Sequence, residues 1–435
     1  MNYYPRCLLL FTHILSAKMG IQSLLLLCFL FLSHALLASD EPTLDEDLLV
    51  DERIEFEFEH ASSASHSWLD DTRTTFQQTY VQGRRIEIER SELRLEYEAA
   101  PWEGAYFRFD NKYSYYWSRD ALANLENTSY GYNKLQQASL QLSRENCAVT
   151  VGRQRLFWGV VEGTFAVDVI TPFDYTEQLL TDYASVRLSQ DMLIADCFFE
   201  QTKIQLFYLP EALLDSVRHR NNEIFDALER QLSDEWGMNI SKSWPGFDLS
   251  LMYARLYANT PVPLANPLVA GGIELGVPQH DFFGLSAAWA LGRMMIELDL
   301  AYKPGQLEPF SRQQEKRLEG ALGIEYTTTG NHYFNAGVWR FDGAANEADA
   351  KSEPTQAWTA GWSKRYINDD LTMSFLGSWV SESEQVFTTL FAQYQWDDYW
   401  MFSSALSYTD IDENTQNPLQ TSSDLTATMM VKVQF

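Results

Sequence analysis

Apolar and polar residues alternate over most of this chain, and the alternation is cleanest at its end. Leu425, Ala427, Met429, Val431, Val433 and Phe435 are apolar, Thr426, Thr428, Lys432 and Gln434 between them are polar, and only Met430 blurs the pattern. A period of two places one face of a strand in an apolar medium and the other in water. The same rhythm predicts strands near residues 51–60, 84–98, 104–117, 134–143, 147–156, 183–199, 203–209, 237–244 and 247–257. It continues at 281–291, 294–303, 316–327, 331–341, 355–365, 370–380, 385–396, 399–409 and 423–435. Many of these are long enough to cross lipid when tilted, about 9–11 residues. Strands of a soluble sandwich or propeller average about 5–6.

The connections sort into two kinds. Ala99 to Glu103, Arg144 to Asn146, Glu200 to Thr202, Pro245 to Gly246, Gly292 to Arg293, Thr328 to Gly330, Tyr366 to Asp369 and Asp397 to Asp398 are short. Those between them are longer, apart from Ser381 to Glu384. This asymmetry predicts an all-β fold: a single transmembrane antiparallel barrel of about 18 strands (range 14–18), with short periplasmic turns and long extracellular loops. Both termini then lie on the periplasmic side. The closing stretch with Phe435 last resembles the final strand of bacterial outer-membrane β-barrels, which implies an assembly signal at Phe435 read by the barrel-assembly machinery.

Leu24 to Leu32 is nearly all apolar, preceded by Lys18 and followed by Ser33, Ala35, Ala38 and Ser39, the layout of a secretory signal peptide. The run is shorter than the ~20 residues of a helical span. We therefore expect a signal peptide over 1–38, with Met19 an alternative start, a short periplasmic segment over 39–50, and the barrel over 51–435. Export through the Sec pathway to a Gram-negative outer membrane follows.

Charge narrows the partners. Sixty Asp and Glu against 32 Lys and Arg give a net charge of −28, which disfavours nucleic acid and suits outer-membrane lipid and a lipopolysaccharide surface bridged by cations. Aromatic residues at 14% are abundant enough to form interfacial girdles.

Apolar faces directed at lipid leave the opposite parity to line a lumen. Glu92, Arg94, Glu96 and Glu98 alternate with Leu93, Leu95 and Tyr97, and Arg108, Asp110 and Lys112 with Phe107 and Phe109. Glu297 and Asp299 stand opposite Ile296, Leu298 and Leu300. Arg or Lys facing lipid at midplane costs about 2–4 kcal/mol, so these charges are expected to face a wet, mixed interior. Either they line a path or they pair with one another and fill it. The alternation slips phase at Arg90 and Ser91, where a bulge fits.

The most unusual stretch runs from Gly152-Arg153-Gln154-Arg155-Leu156-Phe157-Trp158-Gly159 to Asp168-Val169-Ile170-Thr171-Pro172-Phe173-Asp174, with Arg187 in the next strand. It resembles a signature of proteobacterial porin-like barrels of uncertain function, including barrels associated with RND-type exporters and, more distantly, alginate-export barrels. Thr171 stands where that signature commonly has Asn. The resemblance implies a porin-like barrel and an RND-type exporter as a partner. The residues themselves predict a loop folded inward, turned by Pro172 and anchored by Trp158. Arg153, Arg155, Trp158, Asp168, Asp174 and Arg187 then form a pore constriction or, alternatively, brace the wall. Arg153 and Arg155 share parity with Val149 and Val151, which requires a bulge or a position above the lipid.

Leu209 to Trp236 has a helical rhythm after Pro210, predicting a loop helix of some five turns that caps the barrel. Cys147 and Cys197 sit near the ends of neighbouring strands and are candidates for a disulfide in an oxidising compartment. No metal-binding spacing or cofactor motif is present. His332, beside Tyr333 and Asn335, has no convincing serine partner for hydrolysis. The reading is a conduit for small solutes or a secreted product. The alternatives are an occluded barrel serving an inner-membrane exporter or lipid-like cargo and, less favoured, a barrel-embedded hydrolase.

Overall fold

A computed structural model describes residues 72–83, 86–121, 130–174, 186–216, 222–265, 272–307, 313–341, 355–381, 384–410 and 424–435. The expected signal peptide, the 39–50 segment and the strand expected at 51–60 lie outside these residues. The first strands are β1 (Thr72–Gly83), β2 (Ile86–Trp102), β3 (Ala105–Ala121), β4 (Tyr130–Arg144), β5 (Cys147–Gln154), β6 (Gln190–Phe199), β7 (Thr202–Leu209), β8 (Glu235–Trp244) and β9 (Phe247–Tyr257). A separate hairpin, β10 (Val262–Ala265) with β11 (Ile273–Gly276), interrupts the series. Next come β12 (Gln279–Leu291), β13 (Met294–Leu307), β14 (Gln314–Thr327), β15 (His332–Phe341) and β16 (Thr355–Tyr366). The series ends with β17 (Leu371–Val380), β18 (Gln385–Gln395), β19 (Trp400–Asp410) and β20 (Asp424–Gln434).

Apart from the hairpin, these strands form one 18-stranded antiparallel sheet in which β1 pairs with both β2 and β20. The ring is therefore closed and has no free edge. Phe435 completes it, exchanging backbone hydrogen bonds with Thr74 at 3.0 and 2.9 Å. The closing partner is Thr72–Gly83, a segment with no strand expectation, because Thr74 and Gln78 interrupt its outward face around Phe76. The phase slip expected at Arg90 and Ser91 corresponds to a register shift against β3 between Glu89 and Arg90. Trp117 of β3 is the extra residue there, and β2 stays in register with β1.

The outer surface is oily. Leu93, Leu95, Val151, Leu251, Leu300, Leu322, Ile324, Phe375 and Leu390 are all exposed, an arrangement stable only if hydrocarbon covers them. Trp244, Phe247 and Trp289 stack in a row near the turn end, with ring centroids 5.5 and 4.7 Å apart, as one stretch of an aromatic girdle. Cys147 and Cys197 are directly opposed in the β5–β6 pair and are bridged.

The interior is divided. Met192, Ile194, Phe207, Met252, Ala254, Leu256, Phe282 and Ala301 point inward from β6, β7, β9, β12 and β13 and form an apolar cluster with Leu156, Trp158, Val167 and Ile170 of the 155–189 connection. Half the barrel is thus packed with its own loop, which corrects the expectation of a wet interior throughout. The inward residues of β16 to β19 include Ser363, Ser374, Ser378, Thr389, Ser403 and Ser407, all partly accessible. Leu376, Phe387 and Phe391 share this face with the hydroxyls, so the wall is mixed.

The helix expectation also needs correction. Among the described residues of this segment, Asn222–Glu229 is helical (α1). Residues 210–216 instead dive toward the loop, with Ala212 and Leu214 buried and Ser216 bridging Asp174, because their backbone is bonded there.

Candidate functional site

The loop leaves β5 where Gly152, at φ +122°, bends the strand against the Ala138 carbonyl. Gln154 turns inward and donates to the Met192 carbonyl at 3.3 Å. Thr171 holds the base of the loop: its hydroxyl accepts from Leu156 N–H at 3.0 Å and donates to the Leu156 carbonyl at 2.7 Å. A single buried hydroxyl satisfies two backbone groups that would otherwise be orphaned. Trp158 is buried, donates to Gln205 at 2.9 Å and packs edge-on against Phe207. Gly159, at φ +103°, turns the chain across the lumen, where any Cβ would meet Val167 at 2.8 Å.

The tip is held by the far wall. Asp299 of β13 accepts the N–H groups of Val160 and Val161, each at 3.1 Å, and the Ser286 hydroxyl at 2.5 Å. Glu162 follows, with Asn335 of β15 donating to its carboxylate at 2.9 Å. On the return, Arg187 is fully buried, paired with Asp168, and lies 3.4 Å above the Phe173 ring and 5.6 Å from that of Phe165. Lys134 bonds Asp174 at 2.6 Å. Asp215, from the neighbouring loop, accepts Phe173 N–H at 2.7 Å and the Thr260 hydroxyl at 2.6 Å. Burial raises its carboxyl above the ordinary value, opposed by those two donors and by Arg187.

Of the expected constriction residues, Asp168, Asp174 and Arg187 gather on the return of the loop while Trp158 anchors its departure, all as buried braces. Arg187 has no exposed surface to offer a solute. Arg153 is not with them. It follows Val149 and Val151 to the outer face and pairs with exposed Asp191 at 3.1 Å. Arg155 lies just past the strand end and is half-buried.

The expected lumen residues of β2 and β3 all face inward as an ionic ladder. Arg90 and Lys112 bond Glu92 at 2.8 and 3.2 Å, Arg94 bonds Asp110 at 2.6 Å and Glu96 at 3.2 Å, and Arg108 bonds Glu98 at 2.8 Å. Together with Lys134 and Asp174 this wall is balanced in charge. β14, nine strands round the 18-strand ring from β3, fronts a different wall. Glu297, Glu325 and Glu162 gather there, with Tyr333 donating to Glu325 and Glu162 N–H to Glu297. Among the described residues none of the three is ion-paired with Lys or Arg. Glu162, Glu325 and Asn335 carried no signal in the sequence, because a lone acid in a loop or strand has none without knowledge of register. His332 is on the outer face, bonded to Trp362 and Lys364, each at 3.1 Å.

No family model matches the sequence, and no curated protein matches it. Solved structures do share its architecture. OccD3 (OpdP) of Pseudomonas aeruginosa superposes with a TM-score of 0.54 at 12% identity, over 84% of this chain and 91% of that one. OpdK of the same organism, solved with vanillate, gives 0.54 at 8% identity, over 85% and 100%. OccAB3 of Acinetobacter baumannii gives 0.50 at 12%, over 84% and 99%. The fold is a porin-like barrel. At such identities the likeness concerns architecture alone, and it lends no support to the exporter-associated and alginate-export resemblance.

Proposed function

We propose that this porin-like barrel is a channel for small solutes across the outer membrane of a Gram-negative bacterium, with its turn end in the periplasm. The observation that carries the reading is the division of the lumen. One side is filled by a braced loop, while the other, between the ionic ladder of β2–β3 and the acidic edge of β13–β15, is lined by partly accessible hydroxyls and charges interspersed with Leu376, Phe387 and Phe391. A path so lined passes hydrated polar solutes and filters them at the loop tip. Delivery by the Sec pathway and the barrel-assembly machinery, with Phe435 as the signal, belongs to the same proposal, as does contact with lipopolysaccharide.

The test is conductance of the purified full-length protein in planar bilayers. Steady single-channel openings are expected. Persistent silence of folded, heat-modifiable barrel would overturn the channel reading and favour an accessory role beside an exporter.

A further inference from the structure

His332 and Lys364 break the oily outer face at the turn end of the barrel, where β15 begins and β16 nears its close. They stand directly opposite each other in the β15–β16 pair. Nδ1 of His332 accepts the indole N–H of Trp362 at 3.1 Å, and its Nε2 lies 3.1 Å from Lys364 Nζ. Trp and Lys are donors only, while an imidazole offers one acceptor nitrogen when neutral and none when protonated. With Nδ1 taken by Trp362, Nε2 carries its hydrogen and points it at the ammonium. Two donors thus meet head-on and lack a common acceptor. The inward lysines Lys112, Lys134, Lys203 and Lys303 are each ion-paired. Lys364 is not: among the described residues no carboxylate pairs with it, and its ammonium is met by Nε2 and, at 4.9 Å, by the Tyr366 ring. The imidazole is also fixed in place. His332 N–H donates to the Thr328 hydroxyl at 3.0 Å, and its ring stacks on Phe334 with centroids 6.2 Å apart.

We propose that this donor pair is a site for the phosphodiester of an anionic phospholipid, such as phosphatidylglycerol, in the periplasmic leaflet. One phosphate oxygen seated beside the pair accepts from Nε2–H and from Nζ together, which resolves the head-on contact through two charge-assisted hydrogen bonds. The surroundings favour a lipid over a free anion. Phe334 and Tyr326 are exposed beside the pair, with Phe375 next to Trp362, and acyl chains would cover all three. The pair also lies at the same end of the barrel as the Trp244, Phe247 and Trp289 row, where side chains meet headgroups. Phosphatidylethanolamine fits less well, because its own ammonium would be brought against that of Lys364. The inference rests on the outer-membrane placement within the channel reading, with the turn end in the periplasm, but not on conduction.

Native mass spectrometry of the purified full-length barrel, delipidated in detergent and titrated with phosphatidylglycerol, reads the site. Diacylglycerol with the same chains, which lacks the phosphate, is the control. Wild type is expected to retain phosphatidylglycerol at concentrations where diacylglycerol is lost. Lys364→Gln and His332→Phe, each losing one donor, are expected to weaken that retention about tenfold or more. Lys242→Gln is expected to leave it unchanged, since Lys242 is an exposed outward lysine 5.1 Å from the Trp244 ring with no imidazole beside it. Heat-modifiable migration identifies the folded barrel in every sample, so a loss of retention is not read from unfolded chains. Equal retention by wild type and Lys364→Gln, an equal loss in Lys242→Gln, or equal retention of diacylglycerol overturns the site. Silence in planar bilayers with retention intact fails the channel reading alone, whereas steady channels from a wild type that retains no phosphatidylglycerol fail the site alone.

Discussion

Replacing Arg187 by Met should release the inward loop while leaving the barrel intact. Arg187 has no solvent exposure, pairs with Asp168 and sits over two aromatic rings, whereas Met keeps the length of the stem but not the charge. Removing one partner of a buried pair strands the other, at a cost of about 3–5 kcal/mol. Loss of the contact with the Phe173 face adds about 0.5–2 kcal/mol. The contacts of the pair described above lie within the loop, so the cost falls on loop docking. A shift of 3–5 kcal/mol corresponds to roughly two to four decades in the equilibrium between docked and released loop. Hydrogen exchange reads that equilibrium directly. The amides of Leu156, bonded to Thr171, Val161, bonded to Asp299, and Asp174, bonded to the Val186 carbonyl, should lose protection together. Strand amides such as those of β16–β18 should not change. The companion is Arg187→Met with Asp168→Leu, which removes both charges and should recover most of the loss. Unchanged protection in the single variant would refute the reasoning. So would a double variant no better than the sum of its parts, since that would mean the two residues are not coupled.

Three further outcomes follow from the same geometry. Leu322→Arg, on the exposed outer face, should destabilise the barrel in bilayers by about 2–4 kcal/mol, whereas Thr359→Arg on the inner face should not, as read by urea unfolding of the refolded protein in lipid. Arg153→Gln should change stability by no more than about 1 kcal/mol and leave reversal potentials as in wild type, because its pair with Asp191 is exposed and outside the lumen. The Asp215 carboxyl is raised by burial, so its contribution to docking is whole below the ordinary carboxylate value and declines as the pH climbs through the raised one. Protection of Phe173 N–H should therefore fall in wild type relative to Asp215→Asn as the pH rises out of the acid range, and parallel profiles would contradict that sign.

Most of the barrel was legible because lipid enforces a strict outer parity. Leu93 with Leu95, Leu298 with Leu300, and Phe375 with Trp379 mark that face without help from context. β1 was missed because Thr74 and Gln78 share its outer face with Phe76, while 51–60 alternates more cleanly and attracted the assignment. The inner face of β6–β9 is not legible from parity for the opposite reason: it packs on a loop, so Met192, Phe207 and Met252 make both faces apolar. The loop was recognisable from Trp158 and from the Pro172 turn. Its fastening was not, since Thr171, Gln154 and Gln205 act through partners far along the chain. The 210–232 segment keeps a helical spacing of apolar residues, yet among its described residues the helix is Asn222–Glu229, and 210–216 does not coil because Asp215 and Leu214 are drawn into tertiary bonds that a helix would forbid.

The cross-link between Cys147 and Cys197 joins two short neighbouring walls of the cylinder at their foot, beneath the point where the loop departs. Staves joined in this way cannot be prised apart from below. Under the proposed channel role, that joint is closed to sideways escape into the bilayer, and a solute would travel axially past the loop tip.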